Sequence, residues 1–289
     1  MNELSFPSMG TTVRLIADAP LEPARDGIAA LAARLTRFDE ASELCALNAD
    51  PRRVVPASRL LRRAVAAALL GARRTGGLAD PTLLDAVEAA GYDRTRTDVE
   101  PAPLEAALRA APPRRPATPG RRWREVGVGA ATISRPPGLR LDLGGSAKGL
   151  AADWAASRLH GRYVVDCGGD VRVGGTRDVA LRGTAHTLRV TDGAVATSGI
   201  ERRVWRRADG SFAHHLLDPG TGEPAWTGLI SATALAPTAL EAEALAKAAL
   251  LSGPRGARRV LAACGGILVH DDGRSEALRP AVAIPLVAA

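Results

Sequence analysis

The chain has 289 residues, 46% hydrophobic and 24% charged, which excludes a disordered tail or a mini-protein and allows one large core or two small ones. Aromatics at 3% exclude a stacking platform for successive nucleic-acid bases and leave the core to Ala, Val and Leu. The formal charge of +7 is carried mainly by arginine, with only Lys148 and Lys247 as lysines. It suits nucleic acid, an anionic membrane or a phosphate-bearing ligand alike, and pairs such as Arg52-Arg53, Arg62-Arg63 and Arg202-Arg203 read as solvated surface.

In chain order, Leu4 to Ala17 reads as extended structure broken by the turn formers Pro7-Ser8-Met9-Gly10. Apolar spacing predicts helices over 23–36 and 59–74, and shorter ones over 82–91 and 103–111. The Pro-rich stretch APPRRPATPG, 111–120, is the best candidate for a boundary or a mobile excursion. The organisation is therefore one domain over 1–289, or two subdomains divided near 111–120. Beyond the loop we expect a strand ending in Leu141-Asp142-Leu143, a helix over 147–159, a strand over 163–166 ending at Gly168-Gly169, and short strands to about Ala234. Helices over 240–251 and 254–263 then precede strands near Ile267 and Val282. Strand clusters with segregated helices make an α+β protein rather than a doubly wound sheet.

Cys45, Cys167 and Cys264 lie far apart, without metal-ligand spacing and in odd number, so reduced, buried thiols are expected. The N-terminus lacks a basic region followed by an apolar run, and no stretch reaches ~18 apolar residues, so the expectation is a soluble cytoplasmic protein without nucleic-acid or membrane partners.

Glycine turns fall at strand ends at Gly144-Gly145, Gly168-Gly169 and Ser198-Gly199, where bare backbone amides can approach a phosphate; taken singly, each is also an ordinary turn. In LDLGGSAKGLAAD, 141–153, Lys148 falls in the first turn of a helix, where a cation opposes the dipole. An anionic ligand is one reason for a lysine there, and a solvated side chain on a frayed turn is the plainer one. In HHLLDPGTGEP, 214–224, an extended run ends in a tight turn, and His215 shares a face with Leu217. An imidazole titrates near neutrality and is the usual general acid or base, although a lone His by a turn also serves structure.

Six blocks in order, SMGTT, FDEASELCALN, ADPT, LDLGGSAKGLAAD, VVDCGGDVRVGG and ATSGIERRVW followed by HHLLDPGTGEP, resemble the FAD:protein FMN transferases, the ApbE family, over roughly residues 5–250. The resemblance implies an ApbE-like, T-fold-related architecture of mixed sheets. It implies that Met9 and Phe38 pack on FAD, with Phe38 where many members have tyrosine, and that Ala79, Asp80 and Pro81 run along the flavin or adenine. It also implies cofactor contacts at Lys148, Ala151, Ser198, Gly199 and Glu223, a magnesium-binding carbonyl at Gly145, a catalytic role for His215, and Asp218 beside it. Members split FAD at the pyrophosphate and move FMN to a Thr or Ser hydroxyl of an acceptor protein, releasing AMP; some hydrolyse FAD instead. The other readings for this chain are an FAD-binding member without transfer chemistry, serving as a flavin carrier or in another flavin-dependent role, and an FAD pyrophosphatase.

One departure stands out. The family's late helix carries an Asp and a Thr four residues apart that complete the magnesium site, and here Glu243 and Lys247 hold those positions, on one helix face. Glu keeps an oxygen ligand, but Lys removes one and brings a positive charge to an ion that wants near-ideal octahedral oxygen geometry. Either the Lys247 ammonium replaces the ion against the pyrophosphate, or Glu243 and Lys247 form a surface pair.

Overall fold

A computed structural model describes residues 1–95 and 100–280. The chain opens with a hairpin, β1 (Asn2–Ser8) and β2 (Thr11–Ala17), whose two-residue loop is Met9-Gly10. Both loop residues have positive φ, 51° and 67°, the sign that a type I′ turn requires and that glycine supplies more easily than methionine. Pro7 sits in β1 without breaking a ladder because β1 is the edge of its sheet.

The first helical stretch follows: α1 (Glu22–Leu35), α2 (Glu43–Ala49), a short strand β3 (Val54–Pro56), α3 (Arg59–Arg74), α4 (Leu84–Ala89) and α5 (Leu104–Ala110). β4 (Gly127–Val128) and β5 (Thr132–Ser134) pair with β3 in a small sheet. Next come α6 (Ala147–Ala156), β6 (Tyr163–Cys167), β7 (Val171–Gly174), the hairpin β8 (Thr176–Ala180) with β9 (Thr187–Thr191), and β10 (Ala194–Gly199). A second hairpin, β11 (Val204–Arg206) with β12 (Phe212–His214), precedes β13 (Leu229–Ala236), α7 (Ala239–Leu251), α8 (Gly253–Leu261), β14 (Gly266–His270) and β15 (Ser275–Leu278).

Eight strands form one antiparallel sheet in the order β1-β2-β6-β7-β10-β13-β14-β15. Its two faces follow the two-residue period of a strand. Val165 and Cys167 of β6 and Ala194 and Ala196 of β10 point to a helical layer of α1, α3, α6 and α7, whereas Val171, Val173 and Val195 point to the β8–β9 hairpin on the other face. Alanines such as Ala232, Ala234, Ala242, Ala246 and Ala249 let α7 lie close on the sheet, as the scarcity of aromatics predicts. The α+β class holds.

α6 and α7 are riveted end to end. The Asp153 carboxylate of α6 accepts from the first amides of α7, Ala239 N at 2.8 Å and Leu240 N at 2.9 Å, and the Glu243 carboxylate of α7 accepts from Gly149 N of α6 at 2.9 Å. Each acid neutralises free N–H groups at the positive end of the other helix. Gly149 permits this approach, because a Cβ there would lie 2.7 Å from the Ala239 carbonyl.

Three expectations change. Residues 141–143 form no strand, although Leu139, Leu141 and Leu143 alternate and are all buried. The Asn48 side chain stands where a neighbouring strand would, accepting from Leu141 N and donating to Leu141 O, and Asp142 N donates to Pro81 O. The helix expected over 147–159 ends at Ala156. The 111–120 loop is stitched to the body rather than loose: Arg115 N donates to Trp226 O, Ala117 N to Leu251 O, Thr118 N to the Asp218 carboxylate and Gly120 N to Gly77 O. The strand expected near Val282 lies outside the described residues.

Candidate active site

A cavity of about 780 Å³ opens between the ends of β1, β6 and β10, the start of α6 and the middle of α7, a size usual for small-molecule sites. Twelve of the sequence-predicted residues line it: Met9, Phe38, Ala79, Asp80, Pro81, Gly145, Lys148, Ser198, Gly199, His215, Glu243 and Lys247. They come from segments up to 238 residues apart, counting from Met9 to Lys247, so only the fold brings them together. A second recess, of about 760 Å³, contains none of them and is lined by Arg114, Thr227, Arg255 and Arg259 among others.

Three predicted residues lie elsewhere. Ala151 is fully buried in the core on α6. Glu223 is on the surface, paired with Arg207 at 3.0 Å. Asp218 is buried, and its Oδ1 accepts from Thr118 N and Gly220 N, both at 2.9 Å, so its carboxylate shapes the loop and makes no hydrogen bond to His215.

Lys148 stands at the second position of α6, against the helix dipole, because two buried carboxylates hold it. Its ammonium donates to Asp170, which is on the turn after β6, and to Glu243 Oε1 at 2.7 Å. Burial works against the charge, but the two carboxylates outweigh it and hold Lys148 well above an ordinary lysine. Glu243 is likewise kept below the usual carboxylate range, because Lys148 and Lys247 override its burial.

Lys247, one turn along α7 from Glu243, donates from Nζ to the Gly145 carbonyl at 2.8 Å and forms no ion pair among the described residues. Burial lowers its pKa, with Glu243 opposing. The magnesium site implied by the resemblance therefore does not fit these residues. The Gly145 carbonyl faces an ammonium, one Glu243 oxygen serves Lys148 and the other serves Gly149 N. Among the described residues no group of three or more His, Cys, Asp or Glu side chains is arranged to hold a metal ion.

The two adjacent histidines point apart, as residues at the end of an extended run should. His214 is inside, its ring edge-on to Trp226 at 4.6 Å, and burial lowers its pKa to about 3. His215 lines the cavity, and its buried Nδ1 has no hydrogen-bond partner. Burial, with the nearby cations Arg203, Lys247 and Lys148 adding to it, depresses its pKa well below that of a free imidazole, so the ring is neutral at pH 7.

At another part of the wall, Phe38 and Tyr92 have ring centroids 5.7 Å apart, and Tyr92 stands a further 5.7 Å from the buried Trp205 behind it. The Arg37 guanidinium lies 4.2 Å from the centroid of Phe38 and 4.7 Å from that of Tyr92, although its side chain is only 5% exposed. Sequence reasoning missed Arg37, Tyr92 and Asp170, and it assigned Arg202 and Arg203 to solvated surface although both line the cavity. Asp170 carried a signal, since it directly follows the Gly168-Gly169 turn within a block already singled out.

Fold and cavity together define an α+β protein with a deep cleft whose lining includes aromatic and cationic side chains. The sequence profile of the ApbE family matches residues 9–269, and the chain belongs to that family. The FAD:protein FMN transferase of Treponema pallidum (strain Nichols) is 32% identical over 248 residues, 73% of this chain and 65% of that protein. The protein of the same name from Escherichia coli K12 is 32% identical over 142 residues, 43% of this chain and 40% of its own length. The chain thus spans under two thirds of each of these relatives. Among solved structures, the ApbE protein of Thermotoga maritima superposes with a TM-score of 0.77 at 26% identity, covering 96% of this chain and 97% of that one. The flavin transferase ApbE of Vibrio cholerae, at 24% identity and a TM-score of 0.71 over 96% of both chains, shares the fold. No helix among the described residues is long and apolar enough to cross a membrane.

Proposed function

We propose that the cavity binds FAD and that the protein transfers FMN from it to a Thr or Ser hydroxyl of an acceptor protein, releasing AMP. The observation that carries this reading is the convergence of Lys247, which forms no ion pair among the described residues, with Gly145, a neutral His215 whose Nδ1 is unpartnered, and the rings of Phe38 and Tyr92 on one cavity. Phe38 and Tyr92 offer a face for a flat ring system, and Lys247, at another part of the wall, offers positive charge for a pyrophosphate.

The chemistry follows from that layout. The acceptor oxygen attacks the phosphorus on the riboflavin side, a new P–O bond forms, and the P–O bond to AMP breaks with its electron pair leaving on AMP. The hydroxyl proton goes to His215, which releases it to water. Negative charge gathers on the phosphoryl and leaving oxygens, where fixed cations stabilise it at no reorganisation cost. Water in place of the hydroxyl would give FMN and AMP instead.

Purified protein incubated with FAD, with and without magnesium, should release AMP, and His215→Ala should keep FAD affinity while turnover falls by about 10²–10⁴-fold. Unchanged turnover in His215→Ala would make this residue structural. One observation favours a second reading, an FAD-binding member without transfer: the donors expected to hold magnesium are engaged by Lys148, Lys247 and Gly149 N. FAD binding without any AMP, with a Thr-bearing acceptor protein of the flavinylated class present, would establish that reading.

A further inference from the structure

We propose that Lys247 is the resident counter-cation of the cavity and takes the place of a divalent metal ion beside the pyrophosphate of the bound dinucleotide. This rests on the reading that the cavity accepts FAD. Three features of the chain carry it.

First, Lys247 touches no carboxylate among the described residues. Lys148 spends its ammonium on Asp170 and Glu243, whereas Lys247 makes a single hydrogen bond, to a carbonyl, and no ion pair among the described residues. An ammonium has three protons, so two remain for a ligand. Burial works against its charge, the fields of Glu243, Asp142 and Asp170 offset this only in part, and an incoming anion relieves the remainder.

Second, the Gly145 backbone makes room for the ammonium. A Cβ at Gly145 would lie 1.9 Å from Lys247 Nζ, so a side chain here would push the ammonium off the carbonyl. Glycine here leaves room for the lysine tip rather than relieving backbone strain, because φ of Gly145 is not positive.

Third, the alternative of a solvated surface pair fails on geometry. Glu243 is 3% exposed and bonds to Lys148 and Gly149 N, not to Lys247. Lys247 itself lines the cavity.

The test is calorimetric titration of FAD, ADP and riboflavin into the intact protein, in EDTA and in magnesium, for wild type, Lys247→Thr and Gly145→Ala. Wild type should bind FAD and ADP with affinities that differ less than about twofold between the two buffers. Lys247→Thr should weaken both in EDTA by at least about tenfold, the loss of one charge-assisted contact, and leave riboflavin unchanged. Gly145→Ala should weaken them in the same direction, since it shifts the ammonium without removing it. A thermal melt within a few degrees of wild type certifies each variant's fold, and because Gly145→Ala retains Lys247, misfolding of Lys247→Thr alone still leaves the idea open to refutation. Tenfold or greater tightening of wild type by magnesium, or unchanged ADP affinity in both variants, overturns the proposal. Lys247-dependent ADP binding without FAD binding would keep the cation assignment and remove the flavin reading. No binding of either nucleotide overturns both.

Discussion

Two lysines stand within one cavity wall, and they are opposites. Lys148 belongs to a closed set: its charge is matched by Asp170 and Glu243, whose side chains are 3% and 4% exposed, and Glu243 also ties α7 to α6. Lys247 belongs to an open set, with one carbonyl and no carboxylate. The neighbouring histidines divide in the same way, His214 against Trp226 and His215 toward the cavity. The difference teaches that proximity to a cleft does not make a charged residue a ligand-binding one. What matters is whether its charge is already spent.

The largest effect is expected where the closed set is broken. Lys148→Met leaves the buried Asp170 and Glu243 carboxylates without their ion-pair partner, and losing one partner of a buried ion pair typically costs about 3–5 kcal/mol. Lys247→Met gives up one hydrogen bond and no ion pair, so about 1 kcal/mol or less is expected. Urea denaturation of both variants at pH 7 measures the contrast. Equal losses would erase the distinction between the two lysines.

Much of this division was hidden from the sequence. Long periodic helices such as α3 are legible because their burial pattern repeats within a few residues. The stretch 141–143 looked like a strand because its leucines alternate, but its partner is the Asn48 side chain, 93 residues away, which no local pattern announces. The oddity of Lys148 at a helix start was visible, whereas its explanation was not, since Asp170 and Glu243 lie 22 and 95 residues further on. Arg37 and Tyr92 reach the cavity from loops whose composition is unremarkable. Most of the site residues drawn from the family resemblance share the cavity, while Ala151, Asp218 and Glu223 occupy the core, a loop and the surface.

A smaller effect separates the histidines. Burial lowers the His214 pKa from about 6.5 in the unfolded chain to about 3 in the folded one. Between these values the unfolded state binds more protons, so stability rises with pH and is lost as pH falls from about 6.5 toward 3. Going from pH 7 to pH 5 should therefore remove about 2 kcal/mol through His214 alone. His214→Gln does not titrate, and the gap between its stability and that of wild type should narrow by that amount over the same interval. A gap that stays constant with pH would place His214 in contact with water and undo the inward assignment.

The smallest effect tests the rivet on the far side of Glu243. Asp153 accepts from two amides at the start of α7, an arrangement that caps the helix carrying both Glu243 and Lys247. Asparagine keeps one side-chain oxygen and so one of the two bonds, while the charge that complements the dipole is lost; cap losses of this kind run at about 1 kcal/mol. Burial raises the Asp153 pKa, which means that part of the favourable charge is already discounted and argues for the lower end of that range. Asp153 does not line the cavity. Asp153→Asn should therefore lower the urea midpoint slightly and leave FAD affinity within about twofold of wild type. If affinity instead fell tenfold while stability held, the α6–α7 junction would be part of the ligand-binding surface, and the separation of closed and open charges along α7 would no longer describe the protein.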